Sequence, residues 1–233
     1  MEPPKLAISI ATLWRHQRLR KLVENIEETT PHPHTIYFVC EDNDPETISE
    51  VVALGHSFPV FCVLSKYRNP TQAVNVGFRA TSEPLFMLAT DDLEFTHLWF
   101  EPLLEVFEKL PEVQVVATWD GLFDRGKSSY VMRRSYIESQ GTIDEPGKLF
   151  HEGYKHCYPD TEFLATAIHR GVFKFVKSSL VKHCHYNSPF AKFPKDKTSE
   201  HLEQLASQSD DKARYLKRAS MFRGADRLDV PFE

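Results

Sequence analysis

Apolar and polar positions follow a repeating order over the first half of the chain. Five short apolar runs have the length of buried strands, and they lie at residues 6–11, 35–40, 59–64, 85–89 and 113–118. Apolar residues at helical spacing occupy the segments between them, at residues 16–28, 46–54, 69–80 and 98–109. Because continuous apolar runs are typical of strands buried on both faces, the pattern predicts an α/β fold with a mostly parallel sheet flanked by helices.

The second half of the chain is less regular. Short strands are predicted at residues 130–133, 173–176 and 180–181, and helices at residues 136–140 and 160–170. Residues 198–222 have the pattern of one or two charged amphipathic helices. We therefore predict one domain over residues 1–193, made of the halves 1–118 and 119–193, with a helical C-terminal extension over residues 194–233 packed on it.

Composition narrows the class of protein. The chain has 233 residues, of which 41% are hydrophobic, and this is enough for one domain with its own core. The net charge of −5 is not that of a general nucleic-acid binder, whose surface is basic. The N-terminus has no signal-peptide pattern and no apolar run has membrane-spanning length, so we expect a cytoplasmic protein without a transmembrane segment. The four cysteines form no Cys-x-x-Cys pair, and we expect free thiols.

Two adjacent acids, Asp91 and Asp92, follow the apolar run at residues 85–89. In open α/β sheets, ligands bind at the carboxyl ends of strands. Two carboxylates this close repel each other, and a divalent cation with oxygen ligands would keep both charged. The alternative is a strand that leads into a helix N-cap, where acids are favoured by the helix dipole. A third acid, Glu94, is expected to be a bystander.

Polar residues also follow the other predicted strands of the first half. The pairs at strand ends or turns are Thr12 with Arg15, Glu41 with Asp42, Arg68 with Asn69, and Asp91 with Asp92. Because the carboxyl ends of such strands line one crevice, we expect the pairs to lie close together. The chain has neither the Gly-x-Gly-x-x-Gly fingerprint nor the P-loop sequence. The phosphates of a bound nucleotide would therefore be neutralised by a metal ion rather than by a glycine-rich turn.

The order of these motifs resembles that of inverting family 2 glycosyltransferases, which have the GT-A fold. The segments that carry the resemblance are the strand and turn from Ile8 to Arg15, the Ala-x-Asn-x-Gly helix at Ala73–Gly77, the DxD-like Thr90-Asp91-Asp92, the Asp-x-Glu segment Asp160-Thr161-Glu162, and the His-x-His strand end His183-Cys184-His185. The resemblance covers most of the chain. It implies a GT-A-like (Rossmann-like) sheet flanked by helices.

The resemblance also implies an activity. A metal-dependent glycosyltransferase would move a sugar from a nucleotide-diphosphate sugar to an acceptor hydroxyl with inversion, and a UDP-hexose is the default donor. The donor would lie across residues 1–118 and the acceptor against residues 119–193. The implied donor contacts are Thr12, Arg15, Glu41, Arg68, Asn75 and Asp91.

The same resemblance implies the metal ligands and the general base. Asp92 would ligate Mn²⁺ or Mg²⁺ together with His183, and His185 is the alternative histidine. Asp160 would take a proton from the acceptor hydroxyl as it attacks the anomeric carbon. Pro159 stands where the family often has an acid, so Glu162 competes with Asp160 for the role. Asp160 also has the alternative of being a helix N-cap.

Two other functions remain open from the sequence. One is a nucleotide-sugar-binding or scaffold protein without catalysis, and the other is a nucleotidyltransferase on a related sheet. The acceptor is not readable, and glycans, lipid carriers, proteins and modified DNA bases all remain candidates. A run of lysines, Lys192, Lys195 and Lys197, is either a solvated loop or a clamp on a diphosphate or a phosphorylated acceptor.

Overall fold

The computed structural model describes residues 5–66, 69–122 and 129–222. Within these residues the chain forms one eight-stranded sheet and eight helices. The strands are β1 (Leu6–Thr12), β2 (His34–Glu41), β3 (Val60–Ser65), β4 (Leu85–Thr90), β5 (Leu93–Phe95), β6 (Val115–Trp119), β7 (Tyr130–Arg133) and β8 (Phe173–His183). The helices are α1 (His16–Thr29), α2 (Pro45–Leu54), α3 (Pro70–Ala80), α4 (Glu101–Lys109), α5 (Arg134–Ser139), α6 (Pro159–His169), α7 (Lys197–Ser207) and α8 (Asp211–Phe222).

The strand order is β3-β2-β1-β4-β7-β6-β8-β5. The pairs β1–β2, β2–β3, β1–β4 and β6–β8 are parallel. Strand β7 lies antiparallel between β4 and β6, and β5 pairs antiparallel with the end of β8. The predicted α/β class with a mostly parallel sheet is confirmed. The sheet differs from a simple doubly wound one because β7 separates β6 from the four parallel strands.

Each face of the sheet has its own apolar core. Along β1, Leu6, Ile8 and Ile10 pack into a core with α1 and α4, whereas Ala7 points into a second core with α3, α5 and α6. Strand β4 alternates in the same way. Side chains of successive strand residues point to opposite faces, so a continuous apolar run fills both cores at once. This explains why the first-half strands could be predicted from sequence.

Two strands, β8 in the second half and β5 in the first, differ from the sequence predictions. The strands expected at residues 173–176 and 180–181 are one strand, β8, whose pairing with β6 is irregular at Thr118 and Trp119. Strand β5 was not predicted, and it follows Asp92 directly where the alternative interpretation required a helix. The helix-cap interpretation of Asp91 and Asp92 is therefore wrong.

The C-terminal helices pack on the rest of the chain. Tyr215, Ala219 and Phe222 of α8 share a small apolar core with Tyr154 and Ala165. All four cysteines are free thiols. No helix in the described part of the chain has the length and the hydrophobicity needed to cross a membrane.

Candidate active site

A cavity of about 800 Å³ lies at the carboxyl ends of β1, β2 and β4. Its wall is completed by the segment 150–161, the end of β8 and the first turns of α7. The predicted site residues that line it are Thr12, Arg15, Glu41, Asp91, Asp92, Asp160 and His183. Arg68 lies outside the described residues. The topology therefore brings predicted site residues up to 171 positions apart in sequence, Thr12 and His183, to one cavity.

Asp91 is held by hydrogen bonds on both of its carboxylate oxygens. Thr12 Oγ1 donates to Asp91 Oδ2 at 2.8 Å, and Arg15 Nη1 donates to Asp91 Oδ1 at 2.5 Å. The side chains of Arg15 and Asp91 are 8% and 4% exposed, so this is a buried ion pair. Burial raises the pKa of Asp91, and the Arg15 charge and the Thr12 hydroxyl oppose that shift. Asp91 is thus fixed in place at the floor of the cavity.

Asp92, the next residue, is less constrained. Its Oδ1 accepts a hydrogen bond from Thr90 Oγ1 at 2.7 Å and lies 3.3 Å from His183 Nε2. Its Oδ2 accepts no hydrogen bond from any described residue. Burial alone would raise the pKa of Asp92, but the hydrogen bond and charge of His183 outweigh it and the pKa is lowered. The pKa of His183 is raised by the same carboxylate against the effect of burial.

The pair of Asp92 and His183 fits a divalent ion. Carboxylate oxygen and imidazole nitrogen are suitable ligands for Mn²⁺, and ions of this kind are commonly bound by one or two protein ligands plus substrate phosphates. Both side chains line the cavity, where a diphosphate could supply the remaining oxygens. His185 lies beside His183, with ring centroids 5.8 Å apart, and also lines the cavity. His183 is the histidine in contact with Asp92.

The two candidate bases, Asp160 and Glu162, both lie in the first turn of α6 but have different surroundings. Glu162 is 3% exposed and accepts hydrogen bonds from Arg218 Nε at 2.9 Å and from Tyr154 Oη at 2.6 Å. Asp160 lines the cavity and forms no ion pair with any described residue. Burial raises the pKa of Asp160. Because Glu162 is occupied by Arg218, Asp160 is the acid that a substrate can reach.

Asp160 is not the N-cap of its helix. The N-cap position of α6 is Tyr158, which has a left-handed φ of 71° and makes no side-chain capping bond. Asp160 lies within the first turn, where Thr161 N donates to its Oδ1 at 2.8 Å. Tyr158 itself stacks on Tyr215 of α8 with ring centroids 5.0 Å apart. The turn into α6 is therefore fixed by packing, and the N-cap alternative for Asp160 is wrong.

Asn75 lies behind the cavity wall rather than in it. Its Nδ2 donates to the carbonyl oxygen of Phe150 at 2.8 Å and to Glu152, and its Oδ1 accepts from the amides of Leu149 and Phe150 at 3.0 Å. These bonds use the full hydrogen-bonding capacity of a buried amide side chain. The expectation that Asn75 contacts a donor directly does not fit this placement. Asn75 instead fixes the segment that carries Phe150 into the wall.

Glu41 and Asn69 lie at the rim near β2 and α3. Glu41 lines the cavity at the end of β2, where burial and the neighbouring Asp42 and Asp44 raise its pKa against the effect of His201. Asn69 caps α3 by accepting a hydrogen bond from Gln72 N at 3.0 Å. Asp44 does the same for α2 through Thr47 N. The Glu41 side chain forms no hydrogen bond or ion pair with a described residue, so it can contact a ligand in the cavity.

The lysine run does not point its charges into the cavity. Lys192 pairs with Glu94, and Lys195 pairs with Glu203 at 2.5 Å. Lys197 lies over the ring of Trp14 at 3.7 Å. Glu94 is thereby occupied away from the site, as expected for a bystander.

Sequence reasoning missed the contribution of α7. Ser199, His201, Leu202 and Glu203 of this helix line the cavity. Asp196 caps α7 through Ser199 N at 2.8 Å and also accepts a hydrogen bond from Arg15 Nε at 2.9 Å. An Asp three residues before a Ser at the start of a polar amphipathic segment is an N-cap signal. The contact with Arg15, however, spans 181 residues and has no local signal.

A second group of acids and a histidine lies away from the cavity. Asp144, Glu145 and His151 bring their potential ligand atoms within 4.8 Å of one another. Each is already paired, because Asp144 binds Arg218 and Glu145 binds both Lys148 and His151. We assign this group to structural ion pairing.

Comparison with known proteins identifies the family. The model described as glycosyl transferase family 2 matches residues 8–176. The chain belongs to this family. The match covers the sheet as far as the first four residues of β8 and ends before α7. No curated protein sequence matches the chain.

Solved structures with the same fold are GT-A glycosyltransferases. The mannosyltransferase PcManGT from Pyrobaculum calidifontis, solved with GDP-Man and Mn²⁺, has a TM-score of 0.61 and 13% identity, and the match covers 96% of this chain and 77% of that one. Glucosyl-3-phosphoglycerate synthase from Mycobacterium tuberculosis, solved with Mn²⁺, UDP and glucosyl-3-phosphoglycerate, has a TM-score of 0.64 and 13% identity, with 95% and 82% covered. The same synthase has also been solved with Mg²⁺ and UDP. At this identity the likeness establishes the fold, and the family match independently indicates a glycosyltransferase.

Proposed function

We propose that this protein transfers a sugar, by default a hexose, from a nucleotide-diphosphate sugar to an acceptor hydroxyl with inversion, and that it requires Mn²⁺ or Mg²⁺. One observation carries the proposal: Asp92 with His183, and Asp160, line a single cavity at the carboxyl ends of the parallel strands. UDP and GDP sugars are both reasonable donors, since structures of the same fold contain UDP-glucose or GDP-Man.

Each side chain has a part in the proposed reaction. Asp92 Oδ2 and His183 Nε2 are the ligand atoms that would hold the ion. When bound, a divalent cation would offset the negative charge that develops on the departing nucleoside diphosphate. Asp160 accepts the proton of the acceptor hydroxyl as that oxygen attacks the anomeric carbon on the face opposite the diphosphate. The oxygen–carbon bond forms while the bond from carbon to the diphosphate breaks, and the electron pair leaves with the diphosphate.

The remaining residues of the cavity bind and orient the donor. Thr12, Arg15 and Asp91 form a hydrogen-bonded floor, and Glu41 lies at the end of β2 where a nucleobase or ribose would be reached. Arg68 stays a sequence prediction as a donor contact. The acceptor remains open among glycans, lipid carriers, proteins and modified DNA bases, and a cytoplasmic location also stays a prediction.

A panel of nucleotide sugars tested by thermal shift, with and without Mn²⁺, tests the proposal. A ligand at about 100 times its Kd stabilises the folded state by about 2.7 kcal/mol. For a domain of this size that corresponds to a rise in Tm of roughly 5–10 °C. We expect such a rise with at least one nucleotide sugar, and only when Mn²⁺ or Mg²⁺ is present. No stabilisation by any UDP or GDP sugar in the presence of either ion would contradict the proposal.

The second candidate is a nucleotide-sugar-binding protein without catalysis, which Pro159 and Thr90 keep open because both depart from the family pattern. Hydrolysis of the bound donor separates the two functions. Slow release of the nucleoside diphosphate that depends on Mn²⁺ supports the enzyme. Tight binding with no release over hours supports the binding protein.

A further inference from the structure

The turn between β1 and α1 is joined to the start of α7 by a partly buried ion-pair network. Asp196 Oδ2 accepts hydrogen bonds from Arg15 Nε at 2.9 Å and from Arg18 Nη2 at 2.5 Å, and its Oδ1 accepts one from Arg15 Nη2 at 3.2 Å. Thr198 Oγ1 donates to the carbonyl oxygen of Leu13 in the same turn. Helix α7 is therefore anchored on the residues that lead out of the first strand.

Arg15 is shared between this anchor and the cavity. Its Nη1 donates to Asp91, while Nε and Nη2 donate to Asp196, and Nη2 also donates to Ser199 Oγ at 3.1 Å. All three nitrogens of the guanidinium are used. A planar fork held on both sides by carboxylates has one orientation, because rotation would break contacts on each side at once. The position of the charge beside Asp91 thus depends on Asp196.

The charges in this network also indicate that the position of Arg15 depends on Asp196. Burial would raise the pKa of Asp196, but hydrogen bonds from Arg15 and from the Ser199 backbone and side chain outweigh it, and the pKa is lowered. One guanidinium between two carboxylates leaves the buried group with an excess of negative charge, which Arg18 balances from the outer side. Without Asp196, Arg15 would keep only one of its two carboxylate partners.

We propose that Asp196 is a positioning residue of the donor site, which fixes Arg15 and through it Asp91, so that α7 completes the nucleotide pocket. This rests on the proposed function. Helix α7 lies beyond the segment that matches the family, which ends at residue 176. The pocket of this protein is therefore incomplete without a part of the chain outside that segment, and Asp196 links that part to the cavity floor.

A purely structural role of Asp196, as an anchor for α7, makes a different prediction. Arg18 contacts the same carboxylate oxygen as Arg15 and packs over Phe193 at 4.2 Å, but it does not line the cavity. If anchoring alone matters, loss of Arg18 and loss of the Asp196 charge should weaken nucleotide binding equally. If Arg15 is positioned by Asp196, they should differ. Arg18→Met is thus the matched control for Asp196→Asn.

The test is calorimetric titration of UDP and of GDP, each with Mn²⁺, into wild-type protein and both variants, with Tm measured in parallel. Asn at residue 196 keeps an oxygen that can cap α7 but loses the charge and one acceptor. We expect Asp196→Asn to raise the Kd of the bound nucleotide about tenfold, the scale for loss of a charge-assisted hydrogen bond. Arg18→Met should lower Tm at least as much while changing the Kd by less than about twofold. With an active donor, Asp196→Asn should raise KM and leave kcat nearly unchanged, because Asp160 is not touched.

The outcomes separate this proposal from the proposed function. If wild-type protein binds neither nucleotide with Mn²⁺, the proposed function fails. If wild-type protein binds one and both variants bind it equally well, or equally poorly, the positioning role of Asp196 is overturned and the proposed function stands. Should Asp196→Asn not stay folded, Asp196→Glu is measured instead, since it keeps the charge and moves the carboxylate by one methylene. Weaker binding at an unchanged Tm then supports the proposal, and wild-type affinity overturns it.

Discussion

Two pairs of acids lie in or beside the cavity, one pair from each half of the chain. In each pair, one acid is bound by an arginine and the other is available to a ligand. Asp91 and Asp92 follow β4, and Asp160 and Glu162 lie in the first turn of α6. In the first pair Asp91 is bound on both oxygens, by Thr12 and Arg15, while Asp92 keeps one oxygen for a ligand. In the second pair Glu162 is bound by an arginine while Asp160 lines the cavity.

The difference within each pair comes from an arginine supplied by a distant part of the chain. Arg15 comes from the turn before α1 and Arg218 from α8 near the end of the described chain. Both networks include the C-terminal segment, through Asp196 in one case and Arg218 itself in the other. Acids that are equivalent in sequence become a structural group and a reactive group because only one of them is paired.

The largest expected effect comes from removing the reactive acid of the second pair. Asp160→Asn should lower kcat by about 10²- to 10⁴-fold, the usual contribution of a general base, without lowering Tm. Steady-state transfer or donor hydrolysis measures it. Glu162→Gln is the paired test: it should lower Tm more than Asp160→Asn does and cost less activity. The opposite pattern would show that Glu162 is the base.

Breaking the arginine pairing of the second pair should mainly affect stability. Arg218→Met leaves the buried Glu162 carboxylate with Tyr154 as its remaining partner, and uncompensated buried charges of this kind cost about 3–5 kcal/mol. Denaturant unfolding measures the loss. Lys217→Met on the exposed side of the same helix is the control and should change the free energy of unfolding by less than about 0.5 kcal/mol. A loss below about 1 kcal/mol for Arg218→Met would contradict the role assigned to this network.

A smaller stability effect is expected in the first pair. Asp91→Asn removes one charged partner of buried Arg15 but leaves Asp196, so we expect a loss of about 1–3 kcal/mol. Asp92→Asn should cost less than about 1 kcal/mol, since Asp92 is buried but its partner His183 is 33% exposed and can be solvated when the pair is lost. Urea unfolding of the two variants compares them directly. Equal losses in the free energy of unfolding would contradict the assignment of Asp91 as the bound acid and Asp92 as the available one.

The smallest expected effect is a shift in the midpoint of the pH–rate profile. A general base acts as the carboxylate, and burial raises the pKa of Asp160, so its protonated, inactive form persists to higher pH than for an exposed Asp. We expect kcat to fall about tenfold per pH unit below this raised pKa and to level off above it. The midpoint should lie above the ordinary Asp value of about 3.9. A midpoint at or below that value would indicate an exposed or ion-paired base.

Local sequence signals were enough for strands β1 to β4 and the helices between them. Strands β1 to β4 are continuous apolar runs, and the helices between them have clear apolar faces, so each element was recognisable without its partners. Strand β5 has only three residues, and it is a strand because it pairs with residues 181–183 of β8. The insertion of β7 between β4 and β6 likewise depends on pairing that no local pattern encodes.

The candidate site also has features that were predictable from sequence and features that were not. The acids at strand ends were predictable because the topology of α/β sheets places strand ends together. The sequence did not predict which acid of each pair stays available to a ligand. That depends on contacts of Arg15 and Arg218 that span 76 and 56 residues. Asn75 was placed by its helix motif in the right region, but the motif does not show that its amide faces the backbone of Leu149 and Phe150.

The measurement that tests the account most directly is the Mn²⁺ dependence of nucleotide binding by wild-type protein and Asp92→Asn. In calorimetric titrations with UDP and GDP, Mn²⁺ should strengthen the binding of at least one nucleotide to wild-type protein by about tenfold or more, because ion and diphosphate share ligands at one site. Asp92→Asn should lose this dependence while keeping its Tm within a few degrees. Wild-type Mn²⁺ dependence in Asp92→Asn, or nucleotide binding to wild-type protein that is indifferent to Mn²⁺, would contradict the metal site at the end of β4.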